Sequence, residues 1–363
     1  MSDRAVATLE PVALWAIPVA DLGGVARHAL DAAHVGIPGW RLVVLCPEGP
    51  LADELRAQGS AVVTGLFGPD AGVIASVRTL AGIARSLAPA IVHSHLAYAD
   101  IVTSIAPLPP GTRRFTTEHG IAGDDAVYHG SAFKSRLMAA VHSLRLRRFD
   151  GVIAVSEATK QAMIAKWKPR RQIDVILNGV DLPDGVEPRD PSATPDTLRI
   201  LSLSRLAPEK RIDVLVDAFA LVRAERPDAT LTIAGTGPLE AELRAQVDRL
   251  GLSDAVSFPG YVDAHEAMGE ADVVAQLSVW ENCSYTLLDA VARGLRVVAT
   301  DVGGNQEIIE RSQLVTEVHS STVAQTIERE VKSSMGGAAL PSDVATMCRA
   351  TAIQYMRVQA EES

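Results

Sequence analysis

Short apolar runs alternate with amphipathic stretches along most of the chain, and a turn follows each run. The run at 12–19 is typical of a buried strand, and the DLGG after it leads into a stretch with helical spacing. Further apolar runs at 42–46, 91–94 and 152–155 continue this alternation. Because parallel strands need crossover helices between them, the pattern predicts parallel sheets covered by helices.

A proline- and aspartate-rich stretch at 181–197 interrupts the alternation, has no apolar period and is typical of an exposed linker. After it the alternation resumes, and 363 residues are enough for two ordinary domains. We therefore predict an α/β protein with two doubly wound, Rossmann-like domains that face a cleft. The first domain is expected at 1–182 and the second at 198–341.

Charge and composition argue against several classes of protein. A net charge of −10 argues against a nucleic-acid binder, and no apolar run reaches the roughly 18 residues of a membrane span. The three cysteines, Cys46, Cys283 and Cys348, are far apart, which argues against a disulfide framework and a zinc site. The first residues lack the features of a signal peptide, so we expect a cytoplasmic protein.

The polar residues that follow predicted strands are the candidates for ligand binding, because ligands of open α/β sheets bind outside the carboxyl ends of the strands. After the strand VVAQLSV, Ser284 is a predicted helix cap, and the amides of Ser284, Tyr285 and Thr286 would attract a phosphate. Glu281 and Asp289 can accept hydrogen bonds from hydroxyls on either side. This arrangement suits a nucleotide-sugar; the alternative is an exposed loop acid and a solvated helix face.

Two further stretches of the second predicted domain have the chemistry of a phosphate site. LSLSRLAPEKR at 201–211 places Arg205 and Lys210 after a strand, where both can reach a diphosphate. The alternative is an ordinary basic loop. GTGPLE at 235–240 follows the next strand, and Gly237 allows close approach of a ligand, although a tight turn would explain it too.

Taken together, these stretches resemble the GT-B-fold retaining glycosyltransferases of family 4, the glycosyl transferases group 1. Glu281 and Asp289 match the E-x7-E signature of that family, with Asp in the second place. Other matches are SRLAPEK at 204–210, VIAVSE at 152–157, NGVD at 178–181, TTEHG at 116–120 and DLGG at 21–24. Their order and spacing extend the resemblance over nearly the whole chain.

The resemblance implies a role for each matching residue in the second domain. Glu281 would hold hydroxyls of the donor sugar, and Asp289 would hold those of the ribose. Arg205, Lys210 and the amides at 284–286 would bind the diphosphate, and Gly237 would lie near the base.

In the first domain, Gly23 and Gly24 would approach the donor phosphate and His119 would face the transferred sugar. His95 and Glu118 are candidates for contact with the acceptor. A C-terminal helix at about 342–363 would return to this domain, as in similar enzymes.

The activity that the resemblance implies is retaining transfer of a sugar, from a nucleotide diphosphate donor to an acceptor hydroxyl, in polysaccharide or cell-surface glycan synthesis. We expect a UDP-sugar donor, a glycan or lipid-linked acceptor, and no metal or cofactor. Asp289 is shorter than the usual Glu, and Asn282, Cys283 and Ser284 replace a common Gly-Phe-Gly, so the sugar is left open. Two alternatives are a non-hydrolysing nucleotide-sugar epimerase and a non-catalytic binding partner.

Two other patterns allow more than one interpretation. Residues 133–150 combine an apolar stripe, which includes Leu144, with a basic side that includes Arg145. This helix either rests on anionic lipid, as a peripheral membrane contact, or packs its stripe inward with the arginines in water. His93, His95 and His119 could form a metal site, but we favour an ordinary strand end for the pair at 93 and 95.

Overall fold

A computed structural model of the chain describes residues 10–121, 140–189, 195, 197–333 and 341–360. Its contacts divide the chain into two compact units, Met1–Gly179 with Ser342–Ser363, and Val180–Pro341. Each unit contains one sheet, of seven strands in the first and six in the second, and every strand pair is parallel. The predicted α/β class with two Rossmann-like domains is therefore confirmed.

The sheet of the first unit has the strand order β3-β2-β1-β4-β5-β6-β7. The strands are β1 (Val12–Ala16), β2 (Arg41–Cys46), β3 (Val62–Thr64), β4 (Ile91–His95), β5 (Arg113–Glu118), β6 (Gly151–Ala154) and β7 (Ile173–Val175). The helices between them are α1 (Gly24–Val35), α2 (Pro50–Ala57), α3 (Val73–Leu87), α4 (Ala97–Ile105) and α5 (Glu157–Trp167), with a further helical segment at 140–146.

Strand β1 lies in the interior of this sheet and is buried on both of its faces. Ala13 and Trp15 belong to one hydrophobic cluster, whereas Val12, Leu14 and Ala16 belong to another. Side chains of a strand alternate between the two faces of the sheet, so a strand covered by helices on both sides reads as one continuous apolar run. This is why the sequence shows the strand as an uninterrupted apolar stretch.

The sheet of the second unit has the order β10-β9-β8-β11-β12-β13. Its strands are β8 (Arg199–Leu203), β9 (Thr230–Ala234), β10 (Val256–Gly260), β11 (Val273–Gln276), β12 (Arg296–Thr300) and β13 (Leu314–Val315). The α-helices of this unit are α6 (Ile212–Glu225), α7 (Glu240–Arg249), α8 (Ala264–Glu270), α9 (Tyr285–Ala292) and α10 (Ser320–Lys332). Short 3-10 helices occur at Pro208–Lys210 and Gly303–Glu307.

Both sheets reverse their strand order at one point. In the first unit the chain runs outward from β1 to β3 on one side and from β4 to β7 on the other. In the second unit the reversal lies between β8 and β11, which pair directly. A crevice forms at such a point because the two adjacent connections leave in opposite directions. The residues that follow β1, β4, β8 and β11 are therefore the best placed to meet a ligand.

The C-terminal helix α11 (Val344–Ala360) packs on the first unit. Its buried residues Met347, Cys348 and Tyr355 join the cluster that contains Trp15. Trp15 Nε1 donates to the hydroxyl of Tyr355 at 2.9 Å, across 340 positions of sequence. The last helix thus completes the hydrophobic core of the domain that the first strand begins.

The stretch after Gly179, which the sequence assigns partly to the first domain and partly to a linker, lies with the second unit. Val180 is buried in a cluster of that unit. Arg189 donates from its backbone N–H to the carbonyl of Arg293 at 2.8 Å and from Nη1 to the carbonyl of Ala271 at 2.6 Å. The division between the units therefore falls at 179 and not at 182, because these contacts attach the proline-rich stretch to the second sheet's helices.

Two side chains in the described half of the helix predicted at 133–150 do not have the predicted orientation. Residues 122–139 lie outside the described part of the chain, so the structure addresses its second half alone. There Leu144, expected in the apolar stripe, is 63% exposed, whereas Arg145, expected on the basic side, is buried. Arg145 is inside because two buried carboxylates pair with it, a contact that helical spacing does not reveal. Among the described residues, no helix is both long enough and apolar enough to cross a membrane.

Candidate functional site

The start of α9 has the geometry expected of an anion site. Ser284 caps the helix, and its side chain accepts a hydrogen bond from the N–H of Leu287 at 3.3 Å. Tyr285 and Thr286 form the first turn, where backbone N–H groups have no partner within a helix. The helix ends at Ala292, and Gly294 follows with φ of +70°, as the sequence predicts. A helix start of this kind favours a phosphate or another anion.

Lys210 and Glu281 meet at the reversal point of the second sheet. Lys210 ends the 3-10 helix that follows β8, and Glu281 lies in the loop that follows β11. Lys210 Nζ donates to Glu281 Oε1 at 2.6 Å and to Ser278 Oγ at 3.2 Å. Gln276 Nε2 also donates to Glu281 Oε1, at 3.2 Å. The parallel pairing of β8 with β11 therefore unites two residues that are 71 positions apart.

Burial contradicts the alternative interpretations of both acids. The side chain of Glu281 is only 14% exposed, so it is not a solvated loop acid. Asp289 lies in the second turn of α9 and is buried, so it is not on a solvated helix face. Since buried carboxylates are costly without polar partners, both positions are built for specific contacts.

Arg205 stands apart from this ion pair in the structure. Its Nη2 donates to Glu209 Oε1 at 2.5 Å, and its side chain is 73% exposed. A guanidinium has five N–H donors, so Arg205 can keep this contact and still donate to a phosphate oxygen; its predicted role at a diphosphate stays a prediction.

The glycines near the site approach backbone atoms closely. A Cβ on Gly237 would lie 2.4 Å from the carbonyl oxygen of Leu206, in the loop after β8. Gly303 has φ of +52°, and a Cβ there would lie 1.7 Å from the carbonyl oxygen of Glu281. Gly237 therefore packs closely against the neighbouring loop, which by itself calls for glycine, and its predicted contact with a ligand stays a prediction. Gly303 was not among the predicted site residues, although its GG pair is a visible signal.

Two polar residues that sequence reasoning missed hold the ion pair. Ser278 and Gln276 contact Lys210 and Glu281 respectively. Thr300 at the end of β12 donates to the carbonyl of Ser278 at 2.5 Å. The signal for them is weak, because a polar residue at a strand end is common, and only strand pairing shows which of them meet.

In the first unit, Gly23 and Gly24 begin α1, directly after the turn that follows β1. Gly23 is the N-cap, with an extended backbone, and a Cβ at this position would meet no atom within 4 Å. The described fold therefore tolerates a side chain at Gly23. Glycine is itself a favoured N-cap residue, and the predicted close approach of a ligand stays a prediction.

Three histidines converge near the reversal point of the first sheet. His28 comes from α1, His95 ends β4 and His119 follows β5. His95 Nδ1 and His119 Nε2 share a hydrogen bond of 2.8 Å, and the rings of His28 and His119 are 4.7 Å apart. Burial lowers the pKa of His28 to about 4, and it lowers the pKa values of His95 and His119 well below the ordinary value. All three rings are therefore uncharged at neutral pH.

His93 is not part of the group that the sequence suggested for a metal. Its Nδ1 is hydrogen-bonded to the hydroxyl of Tyr355 at 2.5 Å, and its Nε2 to Thr117 Oγ1 at 2.8 Å. Both ring nitrogens of His93 are thus hydrogen-bonded to buried side chains. His28 takes its place beside His95 and His119, and the ligand atoms of these three lie within 4.8 Å of one another.

A buried ion network supports the loop that carries His119. Arg145 forms a short contact with Asp100 through Nη1 and donates from Nη2 to Glu118 Oε2 at 2.9 Å. Glu118 Oε1 also accepts from the N–H of Gly120, at 3.4 Å. Burial raises the pKa of Glu118 to about 7, against the opposing effect of the Arg145 charge. Glu118 is therefore buried and already paired, which favours support of the loop over the predicted contact with an acceptor.

Comparison with known proteins places this chain in a family. The family model for glycosyl transferases group 1 matches residues 197–332, and that for glycosyltransferase family 4 matches residues 22–183. The 2-deoxystreptamine glucosyltransferase of Streptomyces kanamyceticus is 27% identical over 84% of this chain and 85% of its own length. The glycogen synthase of Mycobacterium tuberculosis is 29% identical over 82% and 79%.

Another relative matches a smaller part. The putative colanic acid biosynthesis glycosyltransferase WcaL of Escherichia coli is 28% identical over 55% of this chain, which spans about half, 53%, of that relative. Among solved structures, Anabaena HepE in complex with UDP is 23% identical, with a TM-score of 0.73 over 96% of this chain and 98% of its own. The chain therefore belongs to the family 4 glycosyltransferases, the glycosyl transferases group 1, and has the two Rossmann-like domains of the GT-B fold.

Proposed function

We propose that the protein is a retaining glycosyltransferase that moves a sugar from a UDP-sugar to an acceptor hydroxyl in polysaccharide or cell-surface glycan synthesis. The observation that carries this proposal is the Lys210–Glu281 pair at the reversal point of the second sheet, with the capped start of α9 in the same segment. The choice of UDP is supported by Anabaena HepE, whose structures include complexes with UDP and with UDP-glucose. The name of the related WcaL, a putative colanic acid biosynthesis glycosyltransferase, supports a glycan product.

Lys210 is suited to hold the charge of the leaving diphosphate. An ammonium group has three N–H donors, and Glu281 and Ser278 take two of them. Among the described residues, no further hydrogen bond uses the third N–H group, which can therefore donate to a phosphate oxygen. The amides at the start of α9 would add a fixed positive potential, and Arg205 would add a second, exposed cation. Such preorganised charge stabilises the phosphate most when the bond to the sugar is breaking.

The reaction replaces one bond at the anomeric carbon by another. The bond to the diphosphate oxygen breaks, and the acceptor oxygen bonds to the same face of the sugar, which retains configuration. The acceptor proton passes to the leaving phosphate. Glu281 would accept hydrogen bonds from donor hydroxyls and Asp289 from the ribose, so the catalysis is mainly positioning and electrostatics. We propose that no metal ion takes part, so that EDTA leaves turnover unchanged.

The acceptor is proposed to be a glycan or a lipid-linked sugar, and the protein to work in the cytoplasm at the inner face of the membrane. Exposed basic residues of the first unit, Arg147, Arg148, Lys168, Arg170 and Arg171, support this contact in an otherwise acidic chain. Sedimentation with anionic vesicles tests it. Binding that is equal to vesicles of neutral lipid, or absent from both, would contradict the membrane contact alone.

Thermal shift with UDP, GDP, ADP and dTDP, each with and without a sugar, tests the donor, since a bound ligand raises the melting temperature by mass action. We expect UDP to give the largest shift. With the donor and acceptor found, the anomeric configuration of the product is read by NMR. A new sugar isomer formed from donor alone would instead indicate an epimerase, and binding without turnover would indicate a non-catalytic partner.

Replacement of the ion pair tests the site itself. Lys210→Ala and Glu281→Ala should each lower kcat by at least about 100-fold, because each removes a charge expected to act on the transition state. Arg244→Ala is the matched control: Arg244 is exposed and pairs with Glu240 on α7. Circular dichroism should show all three variants folded. Wild-type turnover in either Lys210→Ala or Glu281→Ala would contradict the assignment.

A further inference from the structure

The histidine cluster of the first unit has the composition of a metal site. Its three imidazoles, His28, His95 and His119, come from α1, β4 and the loop after β5, and their ligand atoms lie within 4.8 Å of one another. His28 and His95 are buried and His119 is half-buried, so an ion can enter from the side of His119. We propose that these three histidines bind a divalent transition-metal ion, Zn²⁺ above all, and that this ion inhibits the enzyme.

The donor atoms decide the class of ion. Three neutral nitrogens suit Zn²⁺, Cu²⁺ and Ni²⁺, whereas Mg²⁺ and Ca²⁺ prefer oxygen. The nearest carboxylate in sequence, that of Glu118, is paired with Arg145. Zn–N bonds of about 2.0–2.1 Å place tetrahedral ligands about 3.3 Å apart. The ligand atoms are now 2.8 Å apart in one pair and within 4.8 Å in the others, so the rings must move by up to about 1.5 Å to reach this value.

The histidines can exchange their shared proton for a metal ion because one ring nitrogen of His95 has no hydrogen-bond partner among the described residues. A ring nitrogen that carries hydrogen cannot bind a metal, so the shared proton between His95 Nδ1 and His119 Nε2 must move or leave. His95 Nε2 is buried and has no hydrogen-bond partner among the described residues. It offers either a place for that proton or a ligand atom of its own. A buried polar atom without a partner is costly, and coordination to a metal would remove that cost.

The surroundings hold the rings in place. Trp15 stacks on His28 with an angle of 11° between the rings, and it lies 4.4 Å from the ring of His95. These ring contacts restrict the orientations that His28 and His95 can adopt.

Inhibition follows from the role of His119 and rests on the proposed function. In that proposal His119 faces the transferred sugar, and a metal on its ring would withdraw it from that contact. Binding of the ion does not depend on the transferase activity, so the two parts can be tested separately.

The experiment uses the full chain without a histidine tag. The protein is equilibrated with Co²⁺, a probe whose visible absorption reports nitrogen ligands, and with Zn²⁺ followed by gel filtration and metal analysis. We expect one ion per chain in the wild type and in His34→Ala, since His34 is an exposed histidine on the same helix α1. His28→Ala should bind more than about tenfold more weakly, because loss of even a supporting residue has an effect of that size.

NMR of the wild-type imidazoles keeps the test independent of any variant that fails to fold. Zn²⁺ should shift the ring resonances of His28, His95 and His119 and leave those of His34 unchanged. Failure of the wild type to retain stoichiometric Co²⁺ or Zn²⁺, or retention by His28→Ala equal to that of the wild type, would overturn the site. Metal binding that leaves turnover unchanged would overturn the inhibition, whereas absence of turnover in EDTA would count against the proposed function.

Discussion

At the scale of single residues, the absence of a side chain matters at two glycines near the predicted sites. Gly303 and Gly23 both flank residues with predicted roles, yet their surroundings differ. Gly303 has a positive φ and touches the carbonyl of Glu281, whereas Gly23 has an extended backbone and open space around its missing side chain. The fold therefore requires glycine at 303, whereas at 23 it leaves room for a side chain, and the ligand contact of Gly23 stays a prediction.

Replacement of each glycine by alanine should separate these roles. Gly303→Ala should lower the free energy of unfolding by about 2 kcal/mol or more, because its Cβ would overlap a carbonyl oxygen and its φ disfavours L residues. Gly23→Ala should lower the free energy of unfolding by less, about 0.5–1 kcal/mol, because alanine is a poorer N-cap than glycine, and it should raise the KM for the donor. Urea unfolding and donor kinetics measure the two effects. Equal stability of both variants would contradict this division.

The buried carboxyl of Glu118 predicts a pH effect of defined sign. Its pKa is raised to about 7 in the folded protein from an ordinary 4.5, so the folded state binds the proton more tightly. The contribution of Glu118 is then fully present below about pH 4.5 and is lost as the pH rises through 7. The free energy of unfolding of the wild type, minus that of Glu118→Gln, should fall by about 1 kcal/mol or more between pH 5 and 8.

The comparison with Glu118→Gln is needed because the buried histidines act in the opposite sense. The folded pKa of His28 is about 4 against an ordinary 6.5, so its contribution is lost as the pH falls through that range. Glu54→Gln is the matched control, since Glu54 is exposed on α2. A difference between wild type and Glu118→Gln that rises with pH would refute the buried, proton-binding state of Glu118.

At the scale of elements, helix starts and strand pairing create the site. The alternation of apolar runs identified most strands and helices, because burial on both sides of a parallel sheet makes each strand apolar throughout. The cap at Ser284 and the end of α9 at Gly294 were predicted correctly, since both depend on local backbone chemistry. Leu144 and Arg145, in the described part of the helix predicted at 133–150, were assigned to the wrong faces, because the partner carboxylates of Arg145 lie 27 and 45 positions away.

Removal of the cap of α9 should affect both stability and donor binding. Ser284→Ala should lower the free energy of unfolding by about 1 kcal/mol and weaken UDP binding, because the first turn of α9 loses its fixed start. Ser156 caps α5 in the first unit by the same contact, at 3.0 Å to Thr159 N–H. Ser156→Ala should therefore lower the free energy of unfolding by a similar amount. Its Kd for UDP, measured by calorimetry, should be unchanged. Equal UDP affinity of Ser284→Ala and wild type would contradict a role for the cap in binding.

At the scale of the whole molecule, the end of the chain completes the domain that its start begins. Tyr355 is fully buried, accepts from Trp15 and is hydrogen-bonded to His93. Burial raises its pKa, so the hydroxyl stays protonated. The core of the first unit, and the rings that support the histidine cluster, are therefore complete only after α11 has docked.

Removal of the Tyr355 hydroxyl tests the contact between the last helix and the first strands. Tyr355→Phe should lower the free energy of unfolding by about 2–3 kcal/mol, because it leaves buried polar atoms of Trp15 and His93 without their partner. Ile353→Ala is the control, since Ile353 is 56% exposed on the same helix. Calorimetry should show a lower melting temperature in Tyr355→Phe and little change in the control. Equal melting temperatures would contradict the role of this contact.

The sequence by itself determined the α/β class, the strands and helices, the capped helix at Ser284 and the family signature from Glu281 to Asp289. Each of these depends on residues that are close in sequence, so the spacing of apolar residues and the chemistry of helix caps and turns predict it. The tertiary structure alone decided that Lys210 bonds to Glu281, that Arg145 is buried, and that His28 and not His93 joins His95 and His119. These pairings depend on strand order and on which side chains the core has already occupied, and no local pattern contains that information.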